Sequence, residues 1–173
     1  MCLEFVLWLT VLPHSGKSTI AQKLSEQINN LAILDGDELR EWLSPKNDFS
    51  KEAVFAHNKK TSHIAKMFLE HKVPVCVSLV SPYSESRKLS RKIIGEKLFI
   101  EIYLKCSFEM LKKRDSNGRY DNAKNDLTLN FAGTFITYEE PSNPELVIDT
   151  ENQTIEESIS TIMNYLKKEK TQN

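Results

Sequence analysis

Five short apolar runs punctuate this chain, and longer amphipathic stretches separate them. The runs are Glu4 to Thr10, Leu31 to Leu34, Val73 to Val80, Leu98 to Leu104 and Leu146 to Ile148. Short unbroken apolar runs predict strands buried on both faces, the condition of a parallel sheet covered by helices. Helical spacing lies between them. Ile20, Leu24 and Ile28 step by four, Ile64, Met67 and Phe68 form one face, and Leu89 and Ile93 mark another. Phe108 and Leu111 follow Ser107, a natural N-cap, and Ile155, Ile159, Ile162, Met163 and Leu166 make a terminal stripe. This alternation predicts an α/β fold: one domain over 1–173, a doubly wound five-stranded parallel sheet with helices on both faces. Residues 115–144 are polar, carry Gly118, Gly133, Pro141 and Pro144, and read as a lid within that domain.

Composition excludes several classes. Lys and Arg number 23 against 24 Asp and Glu, a net charge of −1, so no global basic surface favours nucleic acid. No apolar run reaches the ~18 residues of a spanning helix. The N-terminal apolar stretch is interrupted by Glu4 and reads as a strand rather than a signal peptide. Three cysteines, Cys2, Cys76 and Cys106, lie far apart without C-x-x-C spacing, as expected of reduced thiols in a cytoplasmic protein. The four histidines lack metal-ligand spacing.

The first apolar run passes into Val11-Leu12-Pro13-His14-Ser15-Gly16-Lys17-Ser18-Thr19 and then a helical stripe. This nearly matches G-x-x-x-x-G-K-[ST], the P-loop that wraps phosphates at a helix N-terminus. Gly16 permits close backbone approach, Lys17 supplies a point charge, and the Ser18 hydroxyl suits Mg²⁺. Val11 stands where the motif has its first glycine, and a β-branched residue resists a positive φ. Asp35-Gly36-Asp37, with Arg40, closes the second run, where strand ends face the ligand crevice. Two carboxylates there suit metal binding and base chemistry, and Asp also suits a plain helix cap. Arg40 can grip a phosphate bidentately. Ser81-Pro82-Tyr83 ends the third run at the crevice rim; Arg87 and Arg91 follow, four apart on one helical face, a placement that solvated charges also explain.

Together these residues resemble the adenylyl-sulfate (adenosine-5′-phosphosulfate) kinases, P-loop kinases, from Phe5 to about Leu166. The markers include Trp8-Leu9-Thr10, Ser15-Gly16-Lys17-Ser18-Thr19, Leu34-Asp35-Gly36-Asp37 with Arg40, Phe49-Ser50, Ser81-Pro82-Tyr83 and Arg114-Asp115. Gly118 with Tyr120, Phe131 with Gly133, and Tyr138-Glu139 continue the match. The resemblance implies transfer of the γ-phosphate of ATP to the ribose 3′-hydroxyl of a nucleotide 5′-conjugate. It implies that Ser15, Gly16, Lys17, Ser18 and Thr19 hold ATP, with Ser18 and Asp35 at Mg²⁺. Asp37 would be the base, Lys17 and Arg114 would neutralise phosphoryl charge, and Arg40, Phe49, His57, Ser81 and Phe131 would hold the acceptor. A homodimer is a further implication.

The departures carry information. The family has Arg at Val54 and Asn at His57, and Asn117, Asp121 and Asn122 replace lid cations. Losing a forked cation alters how an anionic acceptor is read. The altered pocket points first to cytidine diphosphoramidate, an acceptor of capsule-sugar pathways, with adenylyl sulfate as the alternative. A catalytically silent nucleotide-binding module is a third reading, set against the joint presence of Lys17, Ser18, Asp35, Asp37 and Arg114.

Overall fold

The computed structural model describes residues 4–43, 48–116, 118, 120 and 136–172. The expected alternation appears in chain order. It runs β1 (Val6–Thr10), α1 (Lys17–Gln27), β2 (Ala32–Asp35), α2 (Gly36–Leu43), α3 (Lys51–Glu70) and β3 (Val75–Leu79). It continues through α4 (Ser84–Ile94), β4 (Phe99–Lys105), α5 (Phe108–Arg114), β5 (Leu146–Asp149) and α6 (Ile155–Gln172). The five strands form one parallel sheet in the order β2-β3-β1-β4-β5. Strand β1 lies between β3 and β4, with Val6 opposite both Val75 and Phe99. Chain order reverses at β1, which places a ligand crevice beyond the carboxyl ends of β1, β2 and β3.

Every residue of β1 is buried, because helices cover both faces. Leu7 and Leu9 pack with Ile20 and Leu24 of α1 and Ile159 and Ile162 of α6. Val6 and Trp8 point the other way, toward Leu39 of α2 and Ala65 and Leu69 of α3. Each large apolar side chain so buried contributes about 1.5–3 kcal/mol. Ser107 caps α5 as expected, its Oγ accepting the Met110 N–H at 3.3 Å.

Two helix faces differ from expectation. On α3, Met67 is 60% and Phe68 37% exposed, and the buried face is Val54, His57, Asn58, Thr61, Ser62, Ala65 and Leu69. On α4, Leu89 and Ile93 are only half-buried, while Ser86, Arg87, Ser90 and Ile94 face inward. The two helices pack through small polar residues that satisfy one another. Asn58 Nδ2 donates to Ser86 Oγ at 2.9 Å, and Ser62 and Ser90 hydroxyls donate back to their own helices. An apolar-stripe reading misses such a contact. Arg87 and Arg91 are not solvated either; both pair with Glu101. Of the lid expected over 115–144, residue 117, residue 119 and residues 121–135 lie outside the described residues.

Candidate active site

The loop between β1 and α1 holds its shape without a glycine at its start. Val11 is buried in the core and does not adopt a positive φ. The left-handed residues are His14 (φ 64°) and Gly16 (φ 90°). The backbone strain expected of Val11 is therefore absent. A Cβ on Gly16 would meet nothing within 4 Å, so its dihedral, not crowding, calls for glycine. His14 instead holds its conformation through side-chain contacts. Its Nε2 lies 3.3 Å from the buried Asp115 carboxylate, its ring packs against Tyr120, and the Tyr120 hydroxyl donates to the Pro13 carbonyl at 3.0 Å.

The facing wall is built by β2 running directly into α2. Gly36 sits at the junction because a Cβ there would strike the Leu79 side chain. This close approach brings both carboxylates to the loop. Asp35 Oδ1 accepts the Asp37 N–H at 3.0 Å, and its Oδ2 accepts the Ser18 hydroxyl at 2.8 Å. Lys17 Nζ donates to the Leu12 carbonyl at 3.3 Å. Burial pulls the Lys17 ammonium down to about 8, and the charges of Asp37 and Asp35 act in the opposite sense.

Gly16, Lys17, Ser18, Thr19, Asp35, Asp37, Arg40, Phe49 and Ser81 line one cleft of about 350 Å³. Arg40 lies over the Phe49 ring, 4.5 Å from its centroid, and donates to the Asp48 carbonyl at 3.3 Å. Ser81 takes a left-handed backbone (φ 45°), and its hydroxyl accepts the Trp8 indole N–H at 3.1 Å.

Four expected residues stand apart. Ser15 is buried behind the loop with its hydroxyl unpartnered. His57 is fully buried and does not line the cleft; Val54 and Asn58, one turn apart on α3, do. Burial, reinforced by the Arg40 and Lys60 charges, lowers the His57 imidazole to about 4. The Gly36 backbone pulls weakly the other way without reaching hydrogen-bond geometry. Arg114 does not line the cleft; it donates to the Thr150 carbonyl at 2.6 Å and contacts Cys106 Sγ at 3.6 Å. Phe131 lies outside the described residues.

Sequence reasoning missed Asn58 and Ile136 as cleft residues. Asn58 was detectable, four residues beyond Val54 on one helix face. Ile136 carried no signal, because only the return of the chain to the crevice places it there.

The adenylylsulphate kinase family profile matches residues 3–149. The chain belongs to the adenylyl-sulfate kinase family. It is 40% identical to the adenylyl-sulfate kinase of Oceanobacillus iheyensis over 166 residues, covering 94% of this chain and 83% of that one. It is 39% identical to a probable adenylyl-sulfate kinase of Aeropyrum pernix, covering 96% and 95%. The structure of the Mycobacterium tuberculosis APS kinase CysC in complex with AMPPNP and APS superposes with a TM-score of 0.86. It shares 27% identity, with 94% of this chain and 97% of that one covered. A gluconokinase of Sinorhizobium meliloti, at 14% identity and a TM-score of 0.69, shares the fold alone. The cytidine conjugate expected first as acceptor has no counterpart among these adenylyl-sulfate kinase relatives, which favour the alternative acceptor. Among the described residues, no helix is long and apolar enough to cross a membrane.

Proposed function

We propose that this adenylyl-sulfate kinase family member transfers the γ-phosphate of ATP to the 3′-hydroxyl of adenylyl sulfate, in the cytoplasm. The observation that carries the reading is the shared cleft of Lys17 and Asp37. The P-loop backbone from Ser15 to Thr19 holds the phosphates and Lys17 their terminal charge. Ser18 and Asp35 would hold Mg²⁺. A hydroxyl and a carboxylate 2.8 Å apart are hard oxygen donors of the right kind. The ion, when bound, neutralises charge on the phosphates.

The protein's own contribution is placement. Arg40 and Phe49 hold the acceptor with Ser81. Asp37 orients its 3′-hydroxyl and takes the proton as the O3′–P bond forms and the bond from Pγ to the β-phosphate bridging oxygen breaks. Arg114 is held at the Thr150 carbonyl, outside the cleft lining. His57 supports the acceptor wall from behind. A homodimer belongs to the same proposal; a relative from Thiobacillus denitrificans is a hexameric APS kinase.

One observation favours a second acceptor. Val54 lines the cleft where the family resemblance implies an arginine, leaving Arg40 as the cation on the acceptor side among the described cleft residues. That change favours an altered acceptor, and cytidine diphosphoramidate is the one the resemblance suggests. A substrate panel decides: ATP, Mg²⁺ and either adenylyl sulfate or cytidine diphosphoramidate, with ADP and the 3′-phosphorylated product measured. Turnover of adenylyl sulfate is expected. Turnover of the cytidine compound alone would select the second reading, and nucleotide binding without turnover would leave a silent module.

A further inference from the structure

We propose that Arg87 is a positioning residue for the acceptor, acting through Ser81 and the segment that returns to the crevice at Ile136. The inference rests on the reading that Ser81 faces the acceptor. Arg87 is 3% exposed, does not line the cleft, and donates from all three of its guanidinium nitrogens. Its Nη1 donates to the Ser81 carbonyl at 2.7 Å, its Nη2 to the Glu139 carbonyl at 2.6 Å, and its Nε to Glu101 Oε1 at 2.7 Å. Glu101, on β4, balances the buried charge.

These bonds tie two separate stretches of chain into one wall. The Glu139 N–H donates to the Pro82 carbonyl at 2.8 Å, and Glu139 Oε2 accepts the Ser84 N–H at 2.8 Å. The Tyr138 hydroxyl meets Thr10 Oγ1 at 3.0 Å, and its ring lies under the Arg87 guanidinium. Ile136, three residues before Glu139, lines the same cleft as Ser81. Ser81 sits in a left-handed conformation that a non-glycine residue holds only when its surroundings enforce it. The Arg87 fork on its carbonyl is part of that enforcement, and an ammonium cannot reproduce the three-way geometry. The side-chain hydrogen bonds of Arg87 go to Ser81, Glu139 and Glu101, none of them in the P-loop. Its influence is therefore on the acceptor and not on ATP.

The test is steady-state kinetics on three variants, using the acceptor that the wild-type protein phosphorylates. Arg87→Lys is expected to raise the acceptor KM about tenfold and leave the ATP KM within about twofold. Glu139→Ala, an exposed change that removes the tie to Ser84, is expected to raise the acceptor KM about threefold without lowering Tm. It keeps the test alive should Arg87→Lys fail to fold. Arg91→Lys is the control, since Arg91 shares Glu101 with Arg87 and bonds Glu145 and the Phe99 carbonyl but reaches neither Ser81 nor Glu139. It is expected to lower Tm without moving the acceptor KM. Acceptor KM unchanged in both Arg87→Lys and Glu139→Ala overturns the inference, as does a rise for both substrates that tracks Tm in all three variants. Absence of turnover by the wild-type protein on every acceptor overturns the functional reading as well.

Discussion

The Ser18 hydroxyl of α1 donates to the Asp35 carboxylate at the end of β2, at 2.8 Å. Ser18 stands in the first turn of α1 and Asp35 at the end of β2, and their contact joins the phosphate loop to the acidic wall. Replacing Asp35 by Ala is expected to raise the Mg²⁺ concentration for half-maximal turnover about tenfold or more. Titrating Mg²⁺ at saturating ATP reads this directly; an unchanged midpoint would remove Asp35 from the metal site.

Asp37 bonds Asp35 only through its backbone N–H, which leaves its carboxylate available within the cleft. Asp37→Asn keeps the shape and removes the base. A fall in kcat of about 10²-fold or more is expected, with ATP affinity within about twofold of wild type. Near-normal kcat would assign proton removal elsewhere.

Lys17 has the sharpest pH signature. Its ammonium is lowered to about 8 by burial in the free protein, so it loses its charge as pH rises through that value. The phosphates need the charged form. The pH profile of kcat/KM for ATP is expected to decline above about pH 8, while kcat, which reports the nucleotide complex, declines later. Lys17→Ala should abolish turnover and keep the fold. A kcat/KM profile flat to pH 10 would contradict the burial of this charge.

His57 carries a stability signature. Its folded-state value of about 4 lies below its ordinary 6.5, because the neutral ring is buried near Arg40 and Lys60. Stability from this group is complete above pH 6.5 and is lost as pH falls toward 4, since the unfolded chain takes up the proton first. Tm should drop between pH 6.5 and 4.5, and the drop should be smaller in His57→Asn. Equal slopes in the two proteins would show that other groups dominate acid unfolding.

Much of the fold was legible in the chain because strand burial and helix spacing are local patterns. The run from Phe5 to Leu9 followed by Gly16-Lys17-Ser18 located the phosphate loop. Asp35, Asp37, Arg40, Phe49 and Ser81 join it at one cleft because parallel strands deliver their ends to the same edge. The α3–α4 contact was not legible. It is made by Asn58, Ser86 and their neighbours, whose polar side chains satisfy one another only once the helices meet. His57 was placed among the acceptor residues by the family resemblance, and the helical phase of α3 sets Val54 and Asn58 on the cleft face in its stead.

What the sequence by itself determined is the alternation of strands and helices and the chemistry of the loop, since both depend on residues near one another along the chain. Tertiary structure decided which distant residues meet. It supplied the His14–Asp115 brace that spans the loop and the segment after α5, and the Arg87 fork that joins Ser81 to Glu139. Such contacts arise where the backbone brings remote groups within a few ångströms, and no local periodicity encodes them.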